Sequence, residues 1–596
     1  MGGEKSDSVE ILHESSNSNN DLSNNESSNI EIDNKEGEGY ASSSRWQHFK
    51  DSFKRADNVG KDGHGDGDAD ADADAARSDN EKTGDNEENL HRELKNRHIQ
   101  MIALGGAIGT GLLIGSGSAL RSGGPASLVI SWGIVGTMVF CVVQALGELC
   151  VVYPVNGAFS TYASRFVEPS WGFAVGWNYA IMWLFVLPLE LVAASMCITY
   201  WNDNINPASW VVIFYVFIFM INFLVDVRGF GEAEYYMTIF KIMAIVGFII
   251  LGIVLVCGGG PTHEFIGGKN WHVGNGALPN GFHGVASTFI TASYSMAGTE
   301  MVGLASAETK NPAKTLPKAV RQVFWRLFLF FFVSLMFVGL LVPYNHPDLL
   351  GKSGSTNSTS PFVIAIKDGG IKALPSIFNA CILITVLSTG NSAVYGCSRT
   401  IQSLGQQGLA PSLFAYVDRK GRPLVALCVS ALFGLLGFLA AYKDQSVVFN
   451  WLLSVASLAT LFSWGSIAAV HIRFRLAWKA QGRSLDELTF KANTGIIGSI
   501  YTLVFLLFVL ALQLYIGHVS AEAFFQNFLG AIVVILFYIG HKLYSRSWTM
   551  LRPLKEIDLD SGRRHLDIEL IRSELAEERE RIHQKPWWWR IWNYWC

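Results

Sequence analysis

The chain has 596 residues, of which 50% are hydrophobic and only 16% are charged, and its formal net charge is −4. Soluble globular proteins carry about 25% charged residues, so this composition excludes an ordinary water-soluble protein and indicates a polytopic membrane protein. The sequence contains no basic patch with interleaved aromatic residues, which argues against a nucleic-acid partner.

Residues 1–96 form a polar tail rich in Ser, Asn, Asp, Gly and Glu. This tail has too little apolar surface to offset the entropy lost on ordering, so it is predicted to be disordered. The Asp/Ala run from Asp66 to Asp72 lacks helical flanks and a closing Glu, so we predict no metal site there. Because no apolar signal segment precedes the first span, that span is expected to act as an internal signal and to leave the tail in the cytosol.

Residues 97–544 form the predicted membrane domain, in which apolar runs recur at about the length that crosses a bilayer. The predicted spans are 98–120, 125–152, 172–200, 209–226, 233–257, 283–305, 320–343, 373–398, 423–442, 447–471, 495–517 and 524–544. The predicted fold class is therefore an all-α polytopic membrane protein with twelve transmembrane helices.

The charges of the loops predict the orientation of these spans. Lys and Arg are concentrated in the even-numbered loops, as in Arg419, Lys420 and Arg422, and are sparse in the odd-numbered loops. Cytoplasmic loops carry this excess, so both termini are predicted to be cytosolic. The sequon Asn357-Ser358-Thr359 then lies in an external loop, where glycosylation is possible.

Residues 545–596 form the predicted C-terminal cytosolic tail. Its segment from Arg563 to His583 is highly charged with apolar residues at partly helical spacing, which favours an amphipathic helix. The aromatic end from Trp587 to Cys596 is typical of the headgroup region of a membrane.

Two spans contain residues that interrupt a helix. Span 1 carries the glycine-rich run Gly105 to Gly115, and span 6 carries Ser295 to Glu300. Close packing through small residues explains either run alone. Since spans 1 and 6 begin two five-span halves, matching interruptions predict an inverted-repeat transporter with its site at the midplane. Freed N–H groups bind a carboxylate and freed C=O groups bind an ammonium, so the pair suits the backbone of a free amino acid.

Ionisable residues inside spans are costly and therefore candidates for function. Glu148 lies near the cytosolic end of span 2, where a structural role is equally open. Glu190 follows Pro188 in span 3 and is a candidate for lining the transport path. Three roles are open for Lys241 in span 5: a fixed cation in an ion site, a proton relay, or a lysine whose side chain extends to the membrane interface. Glu300 follows the span 6 interruption, where it can meet a substrate amine or carry a proton.

Several longer motifs resemble the fungal amino-acid permeases of the amino acid–polyamine–organocation superfamily, most closely the general amino-acid permeases. The resemblance extends from Trp46 to Cys596. The motifs that carry it are His98 to Gly124, Ala145 to Leu149, Leu187 to Glu190, Gly231 to Glu234, Ser388 to Ser392, Asp418 to Pro423 and Trp592 to Cys596.

The resemblance implies a LeuT-like 5+5 inverted repeat with broken helices 1 and 6 and two extra helices. It implies import of a broad range of L-amino acids across the plasma membrane by proton symport and alternating access, with protons as the coupling ion, no cofactor and no catalysis. The implied carboxylate site is Gly109, Thr110 and Gly111, and the implied amine site is Ser295, Ala297 and Gly298.

The resemblance also implies roles for three further residues in the spans. Lys241 stands where sodium-coupled relatives bind an ion, which favours a proton as the driver. Glu300 matches a glutamate implicated in proton coupling or substrate contact, and Ser388 matches a serine that lines the substrate site. Met296 departs from the family, in which Phe is more usual, so the side-chain selectivity is open.

The tails have implied roles in trafficking. Cys596 matches a cysteine thought to be palmitoylated beside membrane lipids, and N-terminal lysines such as Lys5 or Lys35 are candidate ubiquitin acceptors. Ubiquitin-ligase and arrestin-type adaptors are therefore expected partners during cycling through the secretory and endosomal pathway. Two alternatives stay open: a permease with narrow specificity for basic amino acids, and a non-transporting amino-acid sensor of permease descent.

Overall fold

The structure is a computed structural model that describes residues 96–202, 204–224, 227–306, 312–349, 360–441, 445–517 and 520–563, with eight further positions between 573 and 587. The N-terminal tail, the sequon at Asn357, most of the predicted amphipathic helix and Cys596 lie outside the described residues. Predictions about those segments stay predictions.

The described residues fold into α-helices joined by turns, short 3-10 segments and longer loops such as 257–280. The bounds are α1 Asn96–Ala107, α2 Ser116–Gly123, α3 Pro125–Val152, α4 Ala158–Phe166, α5 Pro169–Thr199, α6 Pro207–Leu224, α7 Val227–Val256, α8 Gly281–Ser295, α9 Met301–Ala305, α10 Pro312–Leu341, α11 Pro361–Asp368, α12 Leu374–Gln406, α13 Leu424–Gly434, α14 Gln445–Ala480, α15 Gly495–Gly517 and α16 Ala521–Ser545. A π-helical turn, Gly111–Gly115, precedes α2.

Ten stretches among the described residues are helical, long and apolar enough to cross a membrane, whereas the sequence predicted twelve. Predicted span 283–305 falls short because it divides into α8 and α9. Predicted span 320–343 overlaps α10, which ends at Leu341, but the apolar stretch of this helix is only Phe328–Leu341. Arg321 and Arg326 precede that stretch and lower the hydropathy of any longer segment that includes them.

The helices divide into central and peripheral ones. The central helices α5 and α14 are largely buried, and they pack closely against each other and against neighbouring helices. Peripheral helices present apolar side chains outward, as at Met243 and Ile250 of α7 and Leu507 of α15, which are 54%, 59% and 65% exposed. Such a face would be unfavourable in water and suits lipid. The described part of the chain is therefore a multi-pass membrane protein.

Two short helices, α4 and α11, lie in loops where no helix was predicted, because both are far shorter than a membrane span. Helix α11 begins at Pro361 after Ser360, whose hydroxyl accepts a hydrogen bond from the Phe362 N–H at 3.3 Å. The same hydroxyl donates to the carbonyl of Leu113 in the π-helical turn. Helix α11 therefore contacts the interrupted first span directly.

The segment 546–563, which we name the C-terminal strap, packs against α4 and the end of α14. The Tyr153 hydroxyl donates to the Leu559 carbonyl at 2.9 Å, and the Gln481 side chain donates to the Ile557 carbonyl at 2.7 Å. Arg483 binds Asp560 with two contacts of 2.6 and 2.7 Å. Ile557 and Leu559 are buried. The first part of the predicted C-terminal tail is thus docked on the helical domain.

Candidate functional site

The first span is interrupted between α1 and the π-helical turn. Helix α1 ends at Ala107, Ile108 and Gly109 form a bend, and the π-helical turn starts at Gly111. Gly111 is needed for packing, because a Cβ atom there would lie 2.6 Å from the Cα of Ser295. The absence of a side chain lets the two interrupted spans touch through their backbones.

The sixth span is interrupted between Ser295 and Met301, as the sequence predicted. Gly298 has a φ of +93°, a backbone conformation that a residue with a side chain rarely adopts. A Cβ atom at Gly298 would also lie 2.7 Å from the backbone of Gly106. The two interruptions are therefore packed against each other, and each requires glycine at the contact.

A buried cavity lies between these interruptions. Its lining residues come from the first, third, sixth and eighth predicted spans. They are Gly106, Ala107, Gly109, Thr110, Gly111, Trp183, Val186, Glu190, Tyr294, Ser295, Ala297 and Thr389. The structure thus brings together six of the predicted site residues: Gly109, Thr110, Gly111, Ser295, Ala297 and Glu190.

Glu190 is the acidic side chain of this cavity lining. Its Oε1 accepts hydrogen bonds from the hydroxyls of Thr110 at 2.7 Å and Tyr294 at 3.2 Å. Its Oε2 is buried and has no hydrogen-bond donor in the described part of the chain. A buried carboxylate oxygen without a donor is unfavourable. The arrangement therefore leaves one acceptor available to a cationic or hydrogen-bonding group in the cavity.

Glu300 is buried but does not line the cavity. Its carboxylate accepts hydrogen bonds from the Trp464 indole at 3.1 Å and from the Gly298 backbone N–H at 3.1 and 3.2 Å. The Tyr179 hydroxyl lies 3.5 Å from the same carboxylate. Glu300 therefore ties the span 6 interruption to α14 and α5.

Lys241 and Ser388 also lie outside the cavity lining, in a second buried cluster. The Lys241 ammonium donates to the Gly105 carbonyl at 2.5 Å and lies 3.7 Å from the Glu234 carboxylate. The Ser388 hydroxyl donates to that carboxylate at 2.7 Å. Gly105 immediately precedes Gly106, which lines the cavity, so the cluster is adjacent to the interruption of the first span.

Glu148 belongs to a third cluster, near the C-terminal end of α3. Arg475 binds its carboxylate with two contacts of 2.6 and 2.5 Å, and the Ala492 backbone N–H donates at 2.6 Å. His471 lies 3.3 Å from the same group. Of the two roles that the sequence left open for Glu148, this arrangement supports the structural one, in which it joins α3 to α14.

Sequence reasoning missed Trp183, Val186, Tyr294 and Thr389 of the lining. A signal for two of them was present, since Trp183, Val186 and Glu190 are spaced by three and four residues and share one face of a helix. The sequence analysis also did not identify Glu234 as a site residue, although it included the motif Gly231 to Glu234. Span 5 is apolar all round, so its periodicity did not indicate which face was buried.

The comparisons with known proteins identify the family. Residues 98–551 match the family model described as amino acid permease. The chain belongs to this family. It is a fungal amino-acid permease of the amino acid–polyamine–organocation superfamily, and the family consists of transporters.

Individual relatives agree with this assignment. The chain is 65% identical to the amino-acid permease GAP3 of Candida albicans, over 93% of this chain and 94% of that protein. It is 50% identical to the general amino-acid permease GAP1 of Saccharomyces cerevisiae, over 93% and 92% of the two chains. It is also 50% identical to the tryptophan permease of Saccharomyces cerevisiae, over 85% and 87%.

Proposed function

We propose that this permease imports a broad range of L-amino acids across the plasma membrane by proton symport and alternating access. The observation that carries the proposal is the buried cavity between two helix interruptions, in which Glu190 keeps one unpaired carboxylate oxygen. Helix interruptions are tolerated within a membrane protein where they line a cavity, and there they offer free backbone groups to a ligand.

The two ends of an amino acid find complementary groups in this cavity. The substrate carboxylate is assigned to the backbone around Gly109, Thr110 and Gly111, at the start of a helical segment, where N–H groups favour an anion. The substrate ammonium is assigned to the carbonyl groups near Ser295 and Ala297 and to the free oxygen of Glu190. Because every amino acid has these two ends, this mode of binding is compatible with many side chains.

The proposed architecture has twelve spans in a LeuT-like 5+5 inverted repeat with two extra helices. All twelve predicted spans contain helix in the described residues, and the interruptions fall in the first and sixth. Because the number of spans is even and Lys and Arg are in excess in the even-numbered loops, we propose that both termini are cytosolic.

The proposed coupling ion is a proton, with Lys241 and Glu300 as the coupling groups and no further cofactor. The Lys241 ammonium donates to the Gly105 carbonyl, and the resemblance implies that it stands where sodium-coupled relatives bind an ion. Ser388 is retained as a candidate substrate residue, and Gly298 as the glycine that shapes the amine site.

The proposed partners at the tails are membrane lipids and ubiquitin-ligase and arrestin-type adaptors. Cys596 is proposed as a lipidation site, and the protein is proposed to cycle between the plasma membrane and the endosomal pathway. These proposals derive from the resemblance of the tails to those of other fungal permeases.

A second candidate is narrow specificity for basic amino acids, because the free oxygen of Glu190 is equally suited to a cationic side chain. Sequence identity to known relatives does not decide between broad and narrow specificity. A general permease and a tryptophan permease are each 50% identical to this chain.

The test is expression in a permease-deficient fungal cell and measurement of labelled uptake of several amino acids at two external pH values. Uptake of chemically diverse amino acids, faster at acid pH, is the expected result. Uptake of basic amino acids alone would replace broad by narrow specificity. Absence of uptake despite surface expression would contradict transport and favour a sensor.

A further inference from the structure

Helix α7 buries two opposite charges within the apolar part of the protein. Glu234 and Lys241 are separated by seven residues, or about two helical turns, and both side chains are inaccessible to solvent. A long side chain on a helix points back toward the N-terminus of that helix, which carries the Lys241 ammonium toward Glu234. The Nζ–Oε1 distance is 3.7 Å. A buried charge of either sign is unfavourable without a partner, so each requires the other.

The carboxylate of Glu234 is only partly satisfied. Its Oε1 accepts the hydrogen bond from Ser388, whereas its Oε2 is buried with no hydrogen bond within the described residues. The hydroxyl of Ser392 is buried and interacts with this carboxylate, although it forms no hydrogen bond of ordinary geometry within the described residues. A proton added to Oε2 would form an O–H group that can donate to Ser392. The cluster therefore contains an acceptor for one proton and a neighbour for the protonated form.

The cluster is mechanically connected to the substrate cavity. Lys241 donates to the carbonyl of Gly105, and a Cβ atom at Gly105 would lie 2.4 Å from Oε1 of Glu234. The next residue, Gly106, lines the cavity and touches Gly298. A change in the charge of the Glu234–Lys241 pair therefore acts on the backbone that shapes the site.

We infer that Glu234, in place of Glu300, takes up the coupling proton, that Lys241 is its counter-charge, and that Ser388 positions the carboxylate instead of contacting the substrate. This inference rests on the proton symport proposed above and names the group that performs it. One proton from the external side binds Oε2 of Glu234 and leaves the pair with the single positive charge of Lys241. Release of that proton to the cytosol restores the ion pair, so one proton enters and one leaves in each cycle.

The surroundings explain why Glu234 fits this role better than Glu300. Among the described residues, Glu300 accepts hydrogen bonds from neutral donors and has no cation within ion-pair distance. Its neutralisation would therefore release no ion pair. Glu234 faces Lys241 on its own helix and, beyond it, Glu190 on α5. Helix α1 contributes the Gly105 carbonyl, α12 contributes the hydroxyls of Ser388 and Ser392, and no charged partner comes from the described side chains of α10.

The decisive experiment compares full-length wild-type protein, Glu234→Gln and Glu232→Gln in liposomes. Two rates are measured: accumulation of labelled amino acid driven by an imposed pH gradient, and exchange of labelled for unlabelled amino acid at equal pH. Glu232 lies on the same helix and is half-buried, so Glu232→Gln is the matched control. In Glu234→Gln we expect the rate of driven accumulation to fall more than tenfold, whereas the exchange rate stays within about twofold of wild type. The reason is that Gln keeps the shape of the site but cannot bind and release a proton.

Three results would overturn the inference. The first is wild-type accumulation by Glu234→Gln under a pH gradient, and the second is a parallel loss of accumulation and exchange. The third is a wild-type protein that exchanges amino acids but ignores the gradient, which would overturn the proposed symport itself. The first two leave symport intact, so the failures are distinguishable.

Ser388→Ala provides a second test that does not depend on the folding of Glu234→Gln. Loss of the donated hydrogen bond disfavours the charged carboxylate, so the pH at which driven uptake is half-maximal should rise by about one unit. A serine that lines the substrate site would instead raise KM at every pH without moving this midpoint, and that result would overturn the assignment. Ser388→Thr keeps the hydroxyl and should restore the wild-type midpoint.

Discussion

The carboxylates of Glu148, Glu190 and Glu234 are equally buried, yet the cluster around Glu148 differs from the clusters in and beside the cavity. Glu148 receives two contacts from Arg475 and one from a backbone N–H. Glu190 and Glu234 each keep one oxygen without a donor in the described part of the chain. Complete pairing stabilises one conformation, whereas an unpaired buried oxygen is unfavourable unless a ligand or proton binds. The comparison distinguishes a structural charge from functional ones.

The largest expected effect is the loss of stability in Arg475→Met, which leaves Glu148 buried without its main partner. Removing one partner of a buried ion pair costs about 3–5 kcal/mol in the free energy of unfolding. Thermal unfolding of the purified protein in detergent measures the loss. Arg483→Met is the matched control, because its partner Asp560 is 63% exposed and exposed ion pairs contribute little to stability. Equal losses in both variants would contradict the structural role of Glu148.

The next largest effect is expected for Gly298→Ala, which acts on the contact between the two helix interruptions. The positive φ alone costs about 1–2 kcal/mol for a residue with a side chain, and the added Cβ atom would clash with Gly106. We expect uptake to fall more than tenfold. Gly247→Ala is the control, since a Cβ atom there meets nothing within 4 Å. Normal uptake by Gly298→Ala at wild-type surface levels would refute the requirement for close contact.

Glu190→Gln should separate function from stability. The amide keeps an acceptor for Thr110 and Tyr294, so unfolding should change by less than about 1 kcal/mol. The substrate ammonium loses a charged acceptor, which corresponds to about 1.5–3 kcal/mol, or a rise in KM of about tenfold to a hundredfold. Uptake kinetics for a neutral and a basic amino acid measure the effect. A rise in KM for the basic substrate alone would indicate that Glu190 binds the side chain instead.

The smallest effect is expected in the C-terminal strap, outside the membrane. Burial opposes the charged form of Asp558, but hydrogen bonds from Ser561 and Asp560 outweigh it and hold its pKa at about 2, below the ordinary value of 3.8. A depressed pKa means that the charged form stabilises the docked strap above about pH 4 and that this contribution is lost as the pH falls toward 2. Hydrogen exchange of residues 553–563 should therefore accelerate at low pH, and Asp558→Asn should remove most of that pH dependence. If hydrogen exchange in Asp558→Asn had the same pH dependence as in the wild type, the proposed role of Asp558 would be wrong.

Much of the fold could be predicted from the sequence, because membrane crossing imposes long apolar helices. The predicted span 172–200 corresponds to α5, Pro169–Thr199, and the predicted interruption at Ser295 to Glu300 separates α8 from α9. The count of long apolar helices differs from twelve for two local reasons. One predicted span is interrupted, and the other begins with charged residues. The short helices α4 and α11 were missed because they do not cross a membrane.

The sequence by itself determined the membrane class, the family, and the positions of the glycine-rich interruptions, since hydropathy and the absence of side chains act locally. Only the tertiary structure decided which ionisable residues meet. It placed Glu190 in the cavity, locked Glu148 onto Arg475, attached Glu300 to Trp464 and paired Glu234 with Lys241. The physical reason is that a helix apolar on every side carries no periodic signal for its buried face. The partners of a buried charge therefore come from helices that are distant in the chain.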